Sequence, residues 1–114
     1  SDGLFQRDYV YIKDIVSAYI ITAEAMMNRN LSGEVFNFGN NTPMRAIDVV
    51  NYISQIMEKP HIKPIILANT KYEIKNQYLD STKARKMLGW KPRYNFESGI
   101  RETIEWYKKF YENA

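Results

Sequence analysis

Arg7-Asp8-Tyr9-Val10-Tyr11-Ile12-Lys13-Asp14 is the stretch on which the fold reading turns. Its residues alternate, with Arg7, Tyr9 and Tyr11 on one side and Asp8, Val10 and Ile12 on the other, the period of two that a strand requires. Asp14 stands where an N-cap would sit, and the residues after it change period: Ile15, Ala18, Tyr19, Thr22, Ala25 and Met26 recur at helical spacing, which predicts a helix from about Ile15 to Asn28. A strand feeding directly into an amphipathic helix is the unit from which α/β folds are built.

Downstream, Glu34 to Phe38 (EVFNF) is a short apolar run that predicts a buried strand, ended by the turn cluster Gly39-Asn40-Asn41-Thr42-Pro43. Ala46, Val49, Val50, Ile53, Ile56 and Met57 form one apolar stripe, so a helix is expected over Ile47 to Glu58, with Pro60 stopping it. Lys63 to Leu67 is a candidate strand and Asn69 to Gln77 a polar loop. Asp80 is expected to cap a short helix, Ser81 to Leu88, that ends with Gly89 in the C′ position, after which Pro92 prevents its continuation. The last helix, Phe96 to Glu112, places Phe96, Ile100, Thr103, Ile104, Tyr107 and Tyr111 on one stripe, which Trp106 and Phe110 widen. Strands alternating with helices predict α/β or α+β architecture, and no internal repeat is present.

Composition bounds the function. At 114 residues, 45% hydrophobic and 25% charged, the chain is one domain or part of one. It contains no cysteine, hence no disulfide, thiolate metal site or cysteine nucleophile, and its single histidine, His61, cannot build a metal cluster alone. No apolar run approaches the length of a membrane span and the start has no signal-peptide pattern, so a cytoplasmic protein with no membrane partner is expected. The net charge of +3 leans weakly toward anionic ligands. A solvated mixed surface is nevertheless the better account than a nucleic-acid face, because no basic tract is interleaved with aromatics. The opening Ser1-Asp2-Gly3 runs almost at once into strand-like sequence, as expected of part of a longer chain.

Several constellations can be weighed directly. Gly3, Gly33, Gly39, Gly89 and Gly99 are too scattered for a dinucleotide-binding loop, which needs closely spaced glycines at a helix N-terminus. Tyr9-x-x-x-Lys13 has the spacing of an acid/base pair, but that chemistry needs both groups on one helical face, about 6 Å apart along the axis. In the strand the alternation favours, they would lie about 13 Å apart. No serine has a histidine partner in sequence, and Asp8 and Asp14 read as end-caps, so no catalytic residue is assigned. Arg7, beside two tyrosines, suits bidentate phosphate recognition; composition alone favours an ion pair with Asp8 or Asp14. Lys71, Arg85 and Lys86 read as surface cations, the methionines as core filler and Trp90 as packing on the end of the short helix.

Four segments, in order, resemble the second half of the extended short-chain dehydrogenases/reductases that modify nucleotide sugars. They are Arg7 to Asp14; Gly33-Glu34-Val35-Phe36-Asn37-Phe38-Gly39; Asp80-Ser81-Thr82-Lys83-Ala84-Arg85-Lys86-Met87-Leu88-Gly89-Trp90-Lys91-Pro92; and the tail from Gly99-Ile100 to Trp106-Tyr107. The resemblance covers essentially all 114 residues. Within that group Tyr72-Glu73-Ile74 followed by Tyr78-Leu79-Asp80 looks most like the CDP-glucose 4,6-dehydratases, while UDP-, GDP- and dTDP-sugar dehydratases and epimerases share the same four landmarks.

The resemblance implies an extended Rossmann-type α/β enzyme of which residues 1–114 are the C-terminal, substrate-binding region. An N-terminal Rossmann domain, absent here, would bind NAD and supply the catalytic Tyr-Lys pair, and the parent enzyme would be a homodimer. The implied ligand is a nucleotide sugar, with Arg7 on its diphosphate and Asn41, Lys71 and Asp80 lining the pocket; a lysine at 71, where relatives often carry arginine, weakens the match to bidentate phosphate contact. The implied dehydratase chemistry takes hydride from C4 of the hexose, loses water across C5 and C6 and returns hydride to C6. The chain alone is expected to be inactive. Reading the residues without the resemblance leaves open a stand-alone nucleotide or nucleic-acid binding module, and a fragment with a purely structural role.

Overall fold

The structure, a computed structural model, describes residues 2–69 and 72–113. Its elements are β1 (Gln6–Arg7), α1 (Ile12–Asn28), β2 (Met44–Arg45), α2 (Ala46–Ile56), β3 (Asn76–Gln77), α3 (Thr82–Leu88) and α4 (Phe96–Glu112). The strands form a small mixed sheet of order β2-β1-β3: Gln6 and Arg7 lie opposite Arg45 and Met44 in antiparallel register, and opposite Asn76 and Gln77 in parallel register. Helices with a short sheet meet the α/β expectation.

The helices follow their local signals closely. α4 has the expected bounds, and the Asn95 side chain accepts the Ser98 amide at its start. α2 begins one residue before Ile47 and ends at Ile56, short of Glu58. α3 stops where Gly89 takes φ 69°, and the Gly89 amide reaches back to the Arg85 carbonyl, the left-handed cap that glycine adopts without strain. Asp80 does not occupy the N-cap position, which falls to Ser81; its Oδ1 instead accepts the Thr82 amide at 2.8 Å, satisfying an orphan donor of the first turn from one residue further out.

The strands depart from expectation because pairing, not alternation, decides them. The predicted strand across Arg7 to Ile12 ends at Arg7, since Asp8 Oδ1 accepts the Asn40 amide and the Tyr9 carbonyl accepts from Asn40 Nδ2, and these bonds replace a ladder. α1 therefore starts at Ile12, with Tyr11 as N-cap, and Asp14 lies inside its first turn. Asp14 is no end-cap: its side chain is 1% exposed and accepts the backbone amides of Arg93 at 2.8 Å and Tyr94 at 3.3 Å. Glu34 to Phe38 forms no ladder among the described residues, although Phe36 and Phe38 pack inward as a buried strand's side chains would. Lys63 to Leu67 is likewise not a strand, and Ile65 is 86% exposed. The loop expected through Gln77 closes two residues early, in β3.

The core lies where α1, α3 and the Glu34–Phe38 segment converge. Ala18 and Ala84 are fully buried, which lets α1 and α3 approach closely, and Trp90 fills the space beyond them against Ile21, Phe36, Phe38 and Leu88. Lys83 bonds Glu34 at 2.6 Å and lies 5.1 Å from the Phe36 ring centroid, closing that segment over α3. Away from this centre the molecule is open: its radius of gyration is 17.2 Å, against about 13 Å for a compact domain of this length. Val16, Tyr19, Ile20 and Met27 on α1 and Trp106, Phe110 and Tyr111 on α4 are exposed.

Candidate functional site

The turn at Gly39–Asn41 is clamped from two sides, by Asp8, the sequence neighbour of Arg7, and by Ser81, the sequence neighbour of Asp80. On one side Asp8, next to Arg7, holds the Asn40 amide at 3.1 Å. On the other, the Ser81 hydroxyl, fully buried, lies 3.0 Å from the Gly39 carbonyl and 2.9 Å from Asn41 Oδ1, which also accepts the Ser81 amide at 3.3 Å. Arg85 Nε donates to the same hydroxyl at 3.3 Å. Asn41 takes a left-handed backbone, φ 59°, a conformation asparagine tolerates better than most residues. A Cβ on Gly39 would sit 2.2 Å from Asp8 Oδ2, so any larger residue there would displace the Asp8 carboxylate from the turn.

Asn41 is thus bonded to Ser81, the residue after Asp80, and Asp8, the residue after Arg7, anchors the same turn. Ser81 escaped the sequence reading because a serine inside a helix-start motif has an immediate local explanation. The hydrogen bond from Thr82 holds the Asp80 carboxyl below its ordinary value, leaving an acceptor for hydroxyl groups. Lys71 lies outside the described residues. Arg7 pairs with neither Asp8 nor Asp14: Nη2 meets Glu73 Oε1 at 3.0 Å, and Nη1 meets the carbonyls of Gln6 at 2.7 Å and Lys75 at 3.5 Å.

A second region is an open cleft of about 760 Å³ lined by residues 8–13, 94–96 and the inner face of α4. Lys13 bonds Glu102 at 2.5 Å and Tyr11 donates to the same carboxylate at 2.7 Å, while the Lys13 ammonium lies 5.9 Å and 5.8 Å from the Tyr11 and Tyr94 rings. Tyr9 packs edge-on against Phe96 at 6.3 Å. Tyr9 and Lys13 therefore serve different contacts and form no acid/base pair. Among the described residues no cluster of histidines and carboxylates could hold a metal, and no helix is long and apolar enough to cross a membrane.

The Lys13 hydrogen bond, with that of Tyr11 behind it, holds the Glu102 carboxyl below its ordinary value. A depressed folded-state pKa contributes stability that is complete above the unfolded glutamate value, about 4.3, and is lost as pH falls through the folded one. Stability should therefore rise with pH across that window, and Glu102→Gln should make the rise shallower without abolishing it, because Glu97, Glu105 and Asp48 are depressed in the same way. Urea midpoints of the two proteins between pH 3 and 6 check this, and parallel profiles would refute it.

Residues 2–103 match the family described as GDP-mannose 4,6 dehydratase. The chain belongs to that family. Among its curated relatives are dTDP-glucose 4,6-dehydratase 1 of Escherichia coli K12, 34% identical over 109 residues, which cover 89% of this chain and 29% of the enzyme. A trifunctional UDP-glucose 4,6-dehydratase, epimerase and reductase of Arabidopsis thaliana is 34% identical over 107 residues, 93% of this chain and 15% of that protein. The chain thus spans less than a third of the length of these dehydratases. Solved structures agree: UDP-glucose 4-epimerase of Thermotoga maritima with UDP-glucose superposes with a TM-score of 0.80 at 28% identity, over 96% of this chain and 34% of the epimerase. dTDP-glucose 4,6-dehydratase of Bacillus anthracis in complex with NAD gives 0.76 at 29% identity, over 96% and 33%. The family match contains three of the four segments that resembled nucleotide-sugar enzymes and the start of the fourth.

Proposed function

We propose that this chain is the nucleotide-sugar-binding region, residues 1–114, of an NAD-dependent 4,6-dehydratase, that its first candidate substrate is CDP-glucose, and that it has no turnover alone. Arg7 takes the diphosphate, Asn41 and Lys71 line the pocket, and the ionised Asp80 accepts hydroxyl groups of the ligand. The observation that supports this reading best is the double clamp on the Gly39–Asn41 turn, because it ties the turn carrying Asn41 to Ser81, which follows Asp80, and to Asp8, which follows Arg7. The solved relatives, one with UDP-glucose and one with NAD, supply the ligand classes; the Tyr72-Glu73-Ile74 and Tyr78-Leu79-Asp80 pattern favours the cytidine nucleotide.

The described residues do not fit the main grip on NAD. A dinucleotide loop needs glycines closely spaced at a helix N-terminus, whereas the helices here start from Tyr11, Arg45, Ser81 and Asn95. No step of the reaction is therefore assigned to these residues, whose part is to hold the substrate. In the parent, which we take to be a homodimeric cytoplasmic enzyme, hydride transfer falls to the dinucleotide-binding portion.

A ¹⁵N-resolved NMR titration with CDP-, dTDP-, UDP- and GDP-glucose, with a short oligonucleotide as control, tests the proposal. Shifts around Arg7, Asn41 and Asp80 with a sugar nucleotide are expected, tightest with CDP-glucose. Arg7→Ala should weaken that binding roughly tenfold to a hundredfold, the range for losing a charge-assisted contact to a diphosphate. Preference for the oligonucleotide, or undiminished binding by the variant, would overturn the assignment.

A further inference from the structure

We infer that Glu73 is the positioning residue for the diphosphate site, fixing the Arg7 guanidinium through a hydrogen bond so that its unused N–H groups meet the ligand already oriented. The inference rests on the reading of Arg7 as the diphosphate ligand and adds a residue from the segment leading into the adjacent strand β3, 66 positions away in sequence.

The geometry is specific. A guanidinium carries five N–H donors in a rigid plane. Nη1 is directed at two carbonyls, those of Gln6 and Lys75, and one hydrogen of Nη2 at Glu73 Oε1, which leaves Nε–H and the second Nη2–H for a ligand. Two of the three acceptors come from the chain just before β3, and β3 is fixed against β1 by its parallel pairing and by the Gln6 amide bonding the Lys75 carbonyl at 2.8 Å. The Arg7 side chain is only 26% exposed, so its orientation is set in a partly desolvated place. An arginine that swings freely must surrender its rotamer freedom on binding; one already pinned does not.

Glu73 also places a negative charge near the incoming diphosphate, and this repulsion works against the benefit. Solvent screens it, because the carboxylate is 37% exposed. The hydrogen bond, which is short-ranged and directional, is the part that orients. Acceptor and charge can therefore be separated by substitution: Glu73→Gln keeps an acceptor of the same reach without the charge, and Glu73→Ala removes both.

The test measures affinity for CDP-glucose and for cytidine in the whole chain, together with the Nε–H and Nη–H signals of Arg7 without ligand. Glu73→Ala should bind the sugar nucleotide about fivefold more weakly with cytidine binding unchanged, and should merge the separate Nη signals as the guanidinium begins to rotate. Glu73→Gln should stay within twofold of the wild type and keep those signals apart. Equal or tighter diphosphate binding by Glu73→Ala, or equal losses for cytidine, would overturn the positioning role while leaving Arg7 in place. A wild-type chain that binds no sugar nucleotide would instead overturn the functional reading, and this role with it.

Discussion

Trp90→Ala should lower the stability of the chain by about 4 kcal/mol, within the range measured for truncating buried aromatic residues. The indole is 1% exposed and stands edge-on to Phe38, with ring centroids 5.1 Å apart, and Nε1 donates to the Asp14 carbonyl at 3.1 Å. Truncation opens a cavity beside Ala18 and Ala84, which are too small to move into it. Trp90→Phe, which keeps most of the ring volume but not the donor, should lose clearly less. Urea unfolding followed by far-ultraviolet circular dichroism measures both. A midpoint unchanged in Trp90→Ala would mean that the core lies elsewhere.

Asp14→Ala should cost about 3 kcal/mol through a different mechanism. Its carboxylate accepts two backbone amides, Arg93 and Tyr94, from the segment that joins Trp90 to α4. Removing the acceptor leaves two part-buried amides without a partner, at about 1–3 kcal/mol for each. Asp14→Asn retains one oxygen acceptor and should lose about half as much. Amide hydrogen exchange gives the local signature: the Arg93 and Tyr94 amides should lose protection in Asp14→Ala before the rest of α4 does, and retained protection would refute the role. Because Trp90 also bonds the Asp14 backbone, the double variant should be less destabilised than the sum of the singles.

The two residues show how sequence and structure divide the information. Trp90 was legible as packing for the short helix, because Gly89 and Pro92 mark the helix end and a large apolar ring beyond it has only the core to enter. Asp14 was misread. An aspartate between an alternating run and a helical run fits an N-cap, and nothing local indicates that amides 79 and 80 residues further on will claim its carboxylate. At the candidate site, Arg7 was visible by residue type, but its partner Glu73 was not, and Ser81 was hidden by its place in a helix-start motif. Asn41 and Asp80 were read from resemblance, and the bonds that fix Asn41 to Ser81, the residue after Asp80, appear only in three dimensions.

By itself the sequence determined the four helices, the glycine stop of α3, the α/β class and the family, since α-helical hydrogen bonds close within four residues and apolar period and caps are written locally. The tertiary structure decided which residues are strand, because a strand exists only when another segment supplies its ladder: of the alternating run Arg7 to Ile12 only Arg7 is paired, and the apolar runs at Glu34–Phe38 and Lys63–Leu67 left none among those described. It decided as well the partners of Arg7, Asp14 and Ser81, which lie tens of residues away and are brought near only when the chain closes on itself.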